Sequence, residues 1–272
     1  MTNKTLGSTS ARLLTTLAGD NRTIFSVADA QEVLGSSYDA TLQTLRRLAR
    51  AGWLVRLTAG RYAIVPLSSG NEATPQVNRY VVAREVLGDT PYYISHESAM
   101  DVHNMLTRPV TKVIVTTPRR LARRDILGVP YHFVYAPPSA LWGCEPVWVT
   151  PYEQVTVSNL ERTILDGLAR PDLCAGVSQV ATGLWMRQDD FDWDRLAHYV
   201  QKLGRRAVAQ RLGYLLELYE LGTPSLIESL QAMASASYVR LDPLLPDSGP
   251  YLARWRLRLN LEPETLRGIV RT

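Results

Sequence analysis

The sequence predicts an α+β chain, with a small amino-terminal unit of helices closed by a hairpin and a larger mixed unit after it. Three observations predict this. Apolar residues recur at helical spacing through the first fifty positions, then give way to alternating β-rich runs over 53–65. Further strand-like runs, YYIS (92–95), KVIVTT (112–117), YHFVYA (131–136) and PVWVT (146–150), come before a mainly helical stretch that begins near residue 158. Strands first and helices later suit α+β architecture better than an alternating doubly wound one. Between the regions, SSGNEATPQVN (68–78) is polar, turn-rich and aperiodic, and it divides the chain into residues 1–67 and 79–272.

The first unit can be justified element by element. Leu13, Leu14 and Leu17 fall on one face of a helix over 10–18. A second helix opens at Ser26, an N-cap with Asp29 in the capping-box position, and stops at Gly35. A third starts at the Ser36-Ser37 pair, carries Leu42, Leu45, Leu48 and Ala49, and ends at Gly52. Two short amphipathic helices so closely joined form a helix-turn-helix pattern. The runs WLVRL (53–57) and RYAIV (61–65) flank Thr58-Ala59-Gly60, so a hairpin follows. A helix-turn-helix followed at once by a hairpin is a winged helix, whose third helix enters the major groove of DNA while the wing meets the backbone.

Charge supports that reading. Residues 1–66 hold eight Lys/Arg against four Asp/Glu, while the rest of the chain balances, so the whole net charge of +4 sits in the first quarter. No acid intervenes between Asp39 and Glu72. Such asymmetry points to a polyanionic partner. The expected contacts follow from position. Ser36, Ser37, Tyr38, Thr41 and Gln43 approach base edges or phosphates at the start of the third helix. Arg46, Arg47 and Arg50 meet phosphates, and Arg56, Thr58 and Arg61 serve the wing. Asp39 argues the other way: it suits the helix dipole and could accept from cytosine, but it repels phosphate. A solvated helix face and a protein-interaction module are the competing readings of the same pattern.

The second unit offers less chemistry. His96-Glu97 lacks the second histidine of a zinc-protease motif, since Met100 stands there. Its spacing puts His96 and His103 on one helix face, where packing histidines are the plainer reading. Asp189, Asp190, Asp192 and Asp194 read as acids at the favourable start of a helix. Only Cys144 and Cys174 occur, too few for a disulfide framework or a zinc ligand set, and this suits a reducing, cytoplasmic setting. No phosphate-binding glycine loop or nucleophile elbow is found. The reading is therefore non-enzymatic, with no cofactor, no metal and no membrane partner. One basic cluster stands out: Arg119, Arg120, Arg123 and Arg124 in PRRLARRDILG would form a ridge on a helical turn, as an auxiliary DNA contact or partner surface, unless acids such as Asp125 pair with them. In LERTILDGL, Arg162 and Asp166 make an i, i+4 pair worth about 0.3–0.5 kcal/mol if exposed. That element is either a structural signature or a toxin-neutralising surface.

Four segments together resemble the AbiEi antitoxins, the DNA-binding members of bacterial abortive-infection toxin–antitoxin pairs. They are LARAGWLVRLTAGRYAIVP (48–66), YYISHESAMDVHNML (92–106), VTVSNLERTILDGLARPDLCAG (155–176) and RLGYLLELYELG (211–222). Cys174-Ala175-Gly176 departs from the Gly-Gly pair common in that family. The resemblance implies a winged helix that binds inverted repeats in its own promoter and represses the operon. It also implies an α+β domain that counters a cognate nucleotidyltransferase-like toxin, with a positive face that can add to DNA binding. Inverted repeats call for two copies on the DNA, compatible with a monomer in solution. The alternatives are a ligand-sensing winged-helix regulator and a DNA-targeted enzyme.

Overall fold

The computed structural model describes residues 6–66 and 75–268, and all structural statements below concern those residues. The segment expected as a boundary, 68–78, falls largely on residues 67–74, outside the described residues.

The amino-terminal elements are α1 (Ser8–Gly19), β1 (Ile24–Ser26), α2 (Val27–Leu34), α3 (Tyr38–Arg50), β2 (Leu54–Thr58) and β3 (Arg61–Ile64). The local chemistry of α2 is as the sequence predicts. The Ser26 hydroxyl accepts from the Asp29 N–H at 3.1 Å, and the Asp29 carboxylate accepts in turn from the Ser26 N–H at 2.7 Å. Gly35 ends the helix in the left-handed conformation, φ 61°. The hairpin is antiparallel, with Thr58 opposite Arg61. The sequence reading missed β1, which pairs with β3 and makes a three-stranded sheet of order β1-β3-β2. Leu13, Leu17, Phe25, Ala30, Leu45, Leu48, Leu54 and Tyr62 are buried together as the core of this unit.

Then come α4 (Arg79–Leu87), β4 (Tyr93–Ile94), α5 (His96–Val102), β5 (Val113–Thr117), β6 (Arg124–Ile126), β7 (Val129–Tyr135), β8 (Cys144–Thr150) and β9 (Glu153–Ser158). The strands form a six-stranded sheet of order β6-β7-β5-β4-β9-β8, in which β5 and β7 are parallel. The helices α6 (Leu160–Ala169), α7 (Val177–Met186), α8 (Trp193–Leu203), α9 (Arg206–Leu218) and α10 (Pro224–Met233) follow. A small sheet of β10 (Val239–Arg240), β11 (Tyr251–Leu252) and β12 (Leu257–Arg258) precedes α11 (Pro263–Gly268). The architecture is α+β. One cluster of buried side chains lies among the later helices, around Leu165, Leu184, Leu212 and Trp255. A second covers the large sheet.

The first unit is fastened to the second. Ile24 and Ala63 are buried in the same cluster as Tyr80, Val81 and Ile94. Arg61 pairs with Glu85 at 3.0 Å across that contact.

Two expectations are corrected by packing. The segment with Arg119, Arg120, Arg123 and Arg124 is not helical: it is an irregular stretch that leads into β6, where Arg124 pairs with Tyr131 of β7. The pairing of β6 with β7, Arg124 opposite Tyr131 and Ile126 opposite Val129, outweighs its helical spacing. The LERTILDGL element is a helix, yet Glu161, Arg162 and Asp166 on it are all buried, so they form no interaction surface. The Arg162–Asp166 pair, 2.8 Å apart with side chains 5% and 8% exposed, is an interior ion pair, so the value for an exposed pair does not apply.

Candidate nucleic-acid interface

The candidate interface centres on α3, and three residues set the direction of that helix. Gly35, Ser36 and Ser37 are all that separate α2 from α3, so the chain reverses sharply and the helix starts at a capped, exposed end. The Ser37 hydroxyl accepts from the Ala40 N–H at 3.4 Å, and Asp39 lies in the first turn. Basic residues Arg47 and Arg50 occupy the last turn, where they complement the helix dipole.

The inward stripe of α3 is Thr41, Leu45 and Leu48, at i, i+4 and i+7, with Leu42 and Ala49 only half-buried. That phase turns Thr41 away from the outer face, which corrects its expected role. Its hydroxyl lies 2.7 Å from the Ser36 hydroxyl, and each occupies the other. Ser37, Tyr38, Asp39, Gln43, Arg46, Arg47 and Arg50 remain outward, and Tyr38 is 56% exposed. Arg47 reaches back to donate to the Ser10 hydroxyl on α1 at 3.3 Å, so its guanidinium is partly steered toward α1.

Arg46, Arg50 and Arg56 converge. With Tyr38, Leu42 and Gly60 they line an open cleft of about 460 Å³ between α3 and the β2–β3 hairpin, and no carboxylate lines it. Arg56 is held by its Nε–H, which donates to the Thr58 carbonyl at 3.1 Å and leaves the rest of its fork outward. Arg61 is placed otherwise. Its bond to Glu85 draws it toward α4, so it serves as a tie between the two units. Its field also reaches Asp29: burial pushes that carboxyl up, but the Ser26 bonds, Arg22 and Arg61 together hold it below its ordinary value. Sequence reasoning missed Val27 and Tyr62, which also line the cleft. Nothing in an apolar residue of a core stripe signals that it also shows an edge to a groove.

α3 and the hairpin thus frame a basic cleft free of carboxylates. Residues 12–65 match the family model described as transcriptional regulator, AbiEi antitoxin. The matched segment runs from within α1 to β3 and contains the whole cleft. The family is one of regulators and antitoxins. The crystal structure of the RV2827C protein from Mycobacterium tuberculosis has a similar fold, with a TM-score of 0.72 at 19% identity, covering 98% of this chain and 96% of that one. No curated protein matches the sequence significantly.

Outside the matched segment, Arg119, Arg120, Arg123 and Arg124 are all exposed, and among the described residues none is in an ion pair. Arg120 lies over the Tyr135 ring at 4.2 Å and Arg124 over Phe133 at 5.3 Å, so aromatic rings rather than acids hold them. His96 and His103 do not converge. His96 contacts the Ser95 hydroxyl at 2.9 Å, whereas His103 contacts the Ser158 carbonyl at 2.6 Å. No group of three or more His, Cys, Asp or Glu side chains gathers to hold a metal among the described residues. None of the described helices is long and apolar enough to cross a membrane.

Proposed function

We propose that the chain is a DNA-binding antitoxin that represses its own operon and counters a cognate nucleotidyltransferase-like toxin in the cytoplasm. The observation that carries this reading is the cleft lined by Arg46, Arg50 and Arg56 without a carboxylate, inside the segment that matches the AbiEi family. Residues 1–67 act as the DNA-binding domain, a winged helix-turn-helix, and residues 79–272 as the antitoxin domain.

In this mechanism α3 enters the major groove by its amino-terminal half. Ser37, Tyr38 and Gln43 reach base edges, where a glutamine amide can bond adenine in bidentate fashion. Arg46, Arg47 and Arg50 take phosphates along the helix, and Arg56 with Thr58 takes them at the wing. Ser36 and Thr41 support the turn through their mutual hydrogen bond instead of touching DNA. Arg61 fixes the wing against α4, which sets the angle between the reading helix and the second domain. Arg119, Arg120, Arg123 and Arg124 form a second positive surface for DNA or a protein partner. Two copies occupy an inverted repeat in the promoter.

The test places a reporter under the chain's own promoter and supplies the protein in trans. Repression is expected, together with loss of repression in Arg46→Glu/Arg50→Glu and growth rescue when the product of the adjacent reading frame is co-expressed. A reporter unaffected by the wild-type chain would overturn the reading.

A further inference from the structure

The parallel strands β5 and β7 end side by side at Thr117 and Tyr135. The carboxyl ends of adjacent parallel strands are where open sheets bind ligands. At this place a cavity of about 210 Å³ lies between the sheet and α6. Val134, Pro137, Ala140 and Leu203 give it apolar walls, while His96, Arg170 and Arg205 supply polar ones from three separate elements.

Its polar groups are sorted by what they have left to offer. Asp166 is the one carboxylate in the lining, and it is spent: it accepts from Arg162 Nε at 2.8 Å and from the Tyr93 hydroxyl at 3.1 Å. Arg162 is spent on the same pair and on the Trp142 carbonyl. The donors that remain face a different situation. His96 is only 4% exposed and is seated by a left-handed backbone, φ 53°. The Thr116 hydroxyl donates to the Ser95 hydroxyl at 2.8 Å, and the Ser95 hydroxyl lies 2.9 Å from His96 Nδ1. The other ring nitrogen, Nε2, has no hydrogen-bond partner among the described residues, so the tautomer protonated there offers a free donor to the cavity. Burial keeps the ring neutral at pH 7, its pKa lowered to about 4. Arg205 is exposed and has no acidic partner within ion-pair distance among the described residues. Arg170 is paired with Asp172 but stays half open to solvent.

We infer that this cavity binds a small phosphate-bearing ligand, held by His96 Nε2–H and the guanidinium groups of Arg205 and Arg170. The one carboxylate in the lining is satisfied and charged donors are in excess, which selects an oxyanion. Three donor groups on three elements suit a tetrahedral phosphate better than a planar carboxylate. The volume holds about seven waters, room for a phosphate and a compact organic part against the apolar wall. A ligand there would also touch Tyr135, the ring on which Arg120 rests.

The test follows the ring nitrogens of the four histidines by long-range proton–nitrogen NMR in the full-length protein. The probes are inorganic phosphate and ribose 5-phosphate, with sodium chloride at matched ionic strength as the control. A saturable shift of the His96 Nε2 signal is expected at millimolar concentration or below, weakened about tenfold or more by Arg205→Glu. A stronger response to ribose 5-phosphate assigns the apolar wall to an organic part; an equal response assigns free phosphate, and both support the site. The inference is overturned if His96 signals stay still with both probes, move equally with chloride, or respond unchanged in Arg205→Glu.

Discussion

Replacing Asp166 by Asn would expose the energetics of the LERTILDGL helix. The Arg162 guanidinium is nearly fully buried, bonded to Asp166 at 2.8 Å, to the Tyr93 hydroxyl at 3.0 Å and to the Trp142 carbonyl at 3.3 Å. It also lies 4.0 Å from the centre of the Trp142 ring. Removing one partner of a buried pair leaves an uncompensated charge, a loss of about 3–5 kcal/mol. The Tyr93 and Trp142 contacts remain, so the lower end applies: about 3 kcal/mol, or about 6 °C in Tm for a chain of this size. Urea unfolding followed by tryptophan fluorescence measures it, and Trp142 reports on the site itself. Arg162→Met with Asp166→Leu should lose less than Asp166→Asn alone, because no unpaired charge is left behind. A loss below about 1 kcal/mol, the range of a surface pair, would refute the interior-charge argument.

Two further predictions follow from the interior. A Cβ added at Gly213 would lie 2.2 Å from ring carbons of Trp255, which is fully buried, so Gly213→Ala should destabilise by about 3 kcal/mol or more despite alanine's better helix propensity. Thermal unfolding checks this, and an unchanged or higher Tm would contradict it. His96 binds its proton more weakly folded than unfolded: burial depresses it first, then Arg170 and Arg162, against Asp166 and Asp172, to about 4 from 6.5. Its contribution is therefore fully present above pH 6.5 and is lost as pH falls toward 4, about 3 kcal/mol in all. His96→Asn, a residue that tolerates the left-handed backbone, should flatten that part of the pH–stability curve; a slope identical to wild type would sink the assignment.

Local chemistry made part of the fold readable. Ser26, Asp29 and Gly35 announce α2 because caps act within a few residues. The hairpin was legible in its alternation and in Gly60, which adopts φ 78°. β1 was not, since three residues are too few to show a period and it forms by pairing with β3. The core face of α3 was legible, since Leu45 and Leu48 are buried and Leu42 and Ala49 pack beside them, but Thr41 was not: it joins the inward stripe, its hydroxyl 2.7 Å from that of Ser36. Arg61 read as a free wing charge because Glu85, its partner, is brought near only by the docking of α4. The buried state of Arg162 and Asp166 was equally hidden, since i, i+4 spacing is the same on an exposed and an enclosed helix face. The Cys174-Ala175-Gly176 departure has a geometric counterpart. Ala175 stands at φ 59° and Gly176 at φ 101°, so both positions use backbone that glycine adopts most readily.

The central claim is that the cleft between α3 and the hairpin holds DNA by its phosphates. Fluorescence anisotropy of the full-length chain on its promoter duplex, repeated across a series of salt concentrations, tests it most directly. Arg46→Gln, Arg50→Gln and Arg56→Gln should each weaken binding across sequences and lower the log–log salt slope by about 0.9. Gln43→Ala should instead relax the preference for the promoter over a scrambled duplex and leave the slope unchanged. A salt slope that is the same in the triple arginine variant as in the wild type would contradict the account.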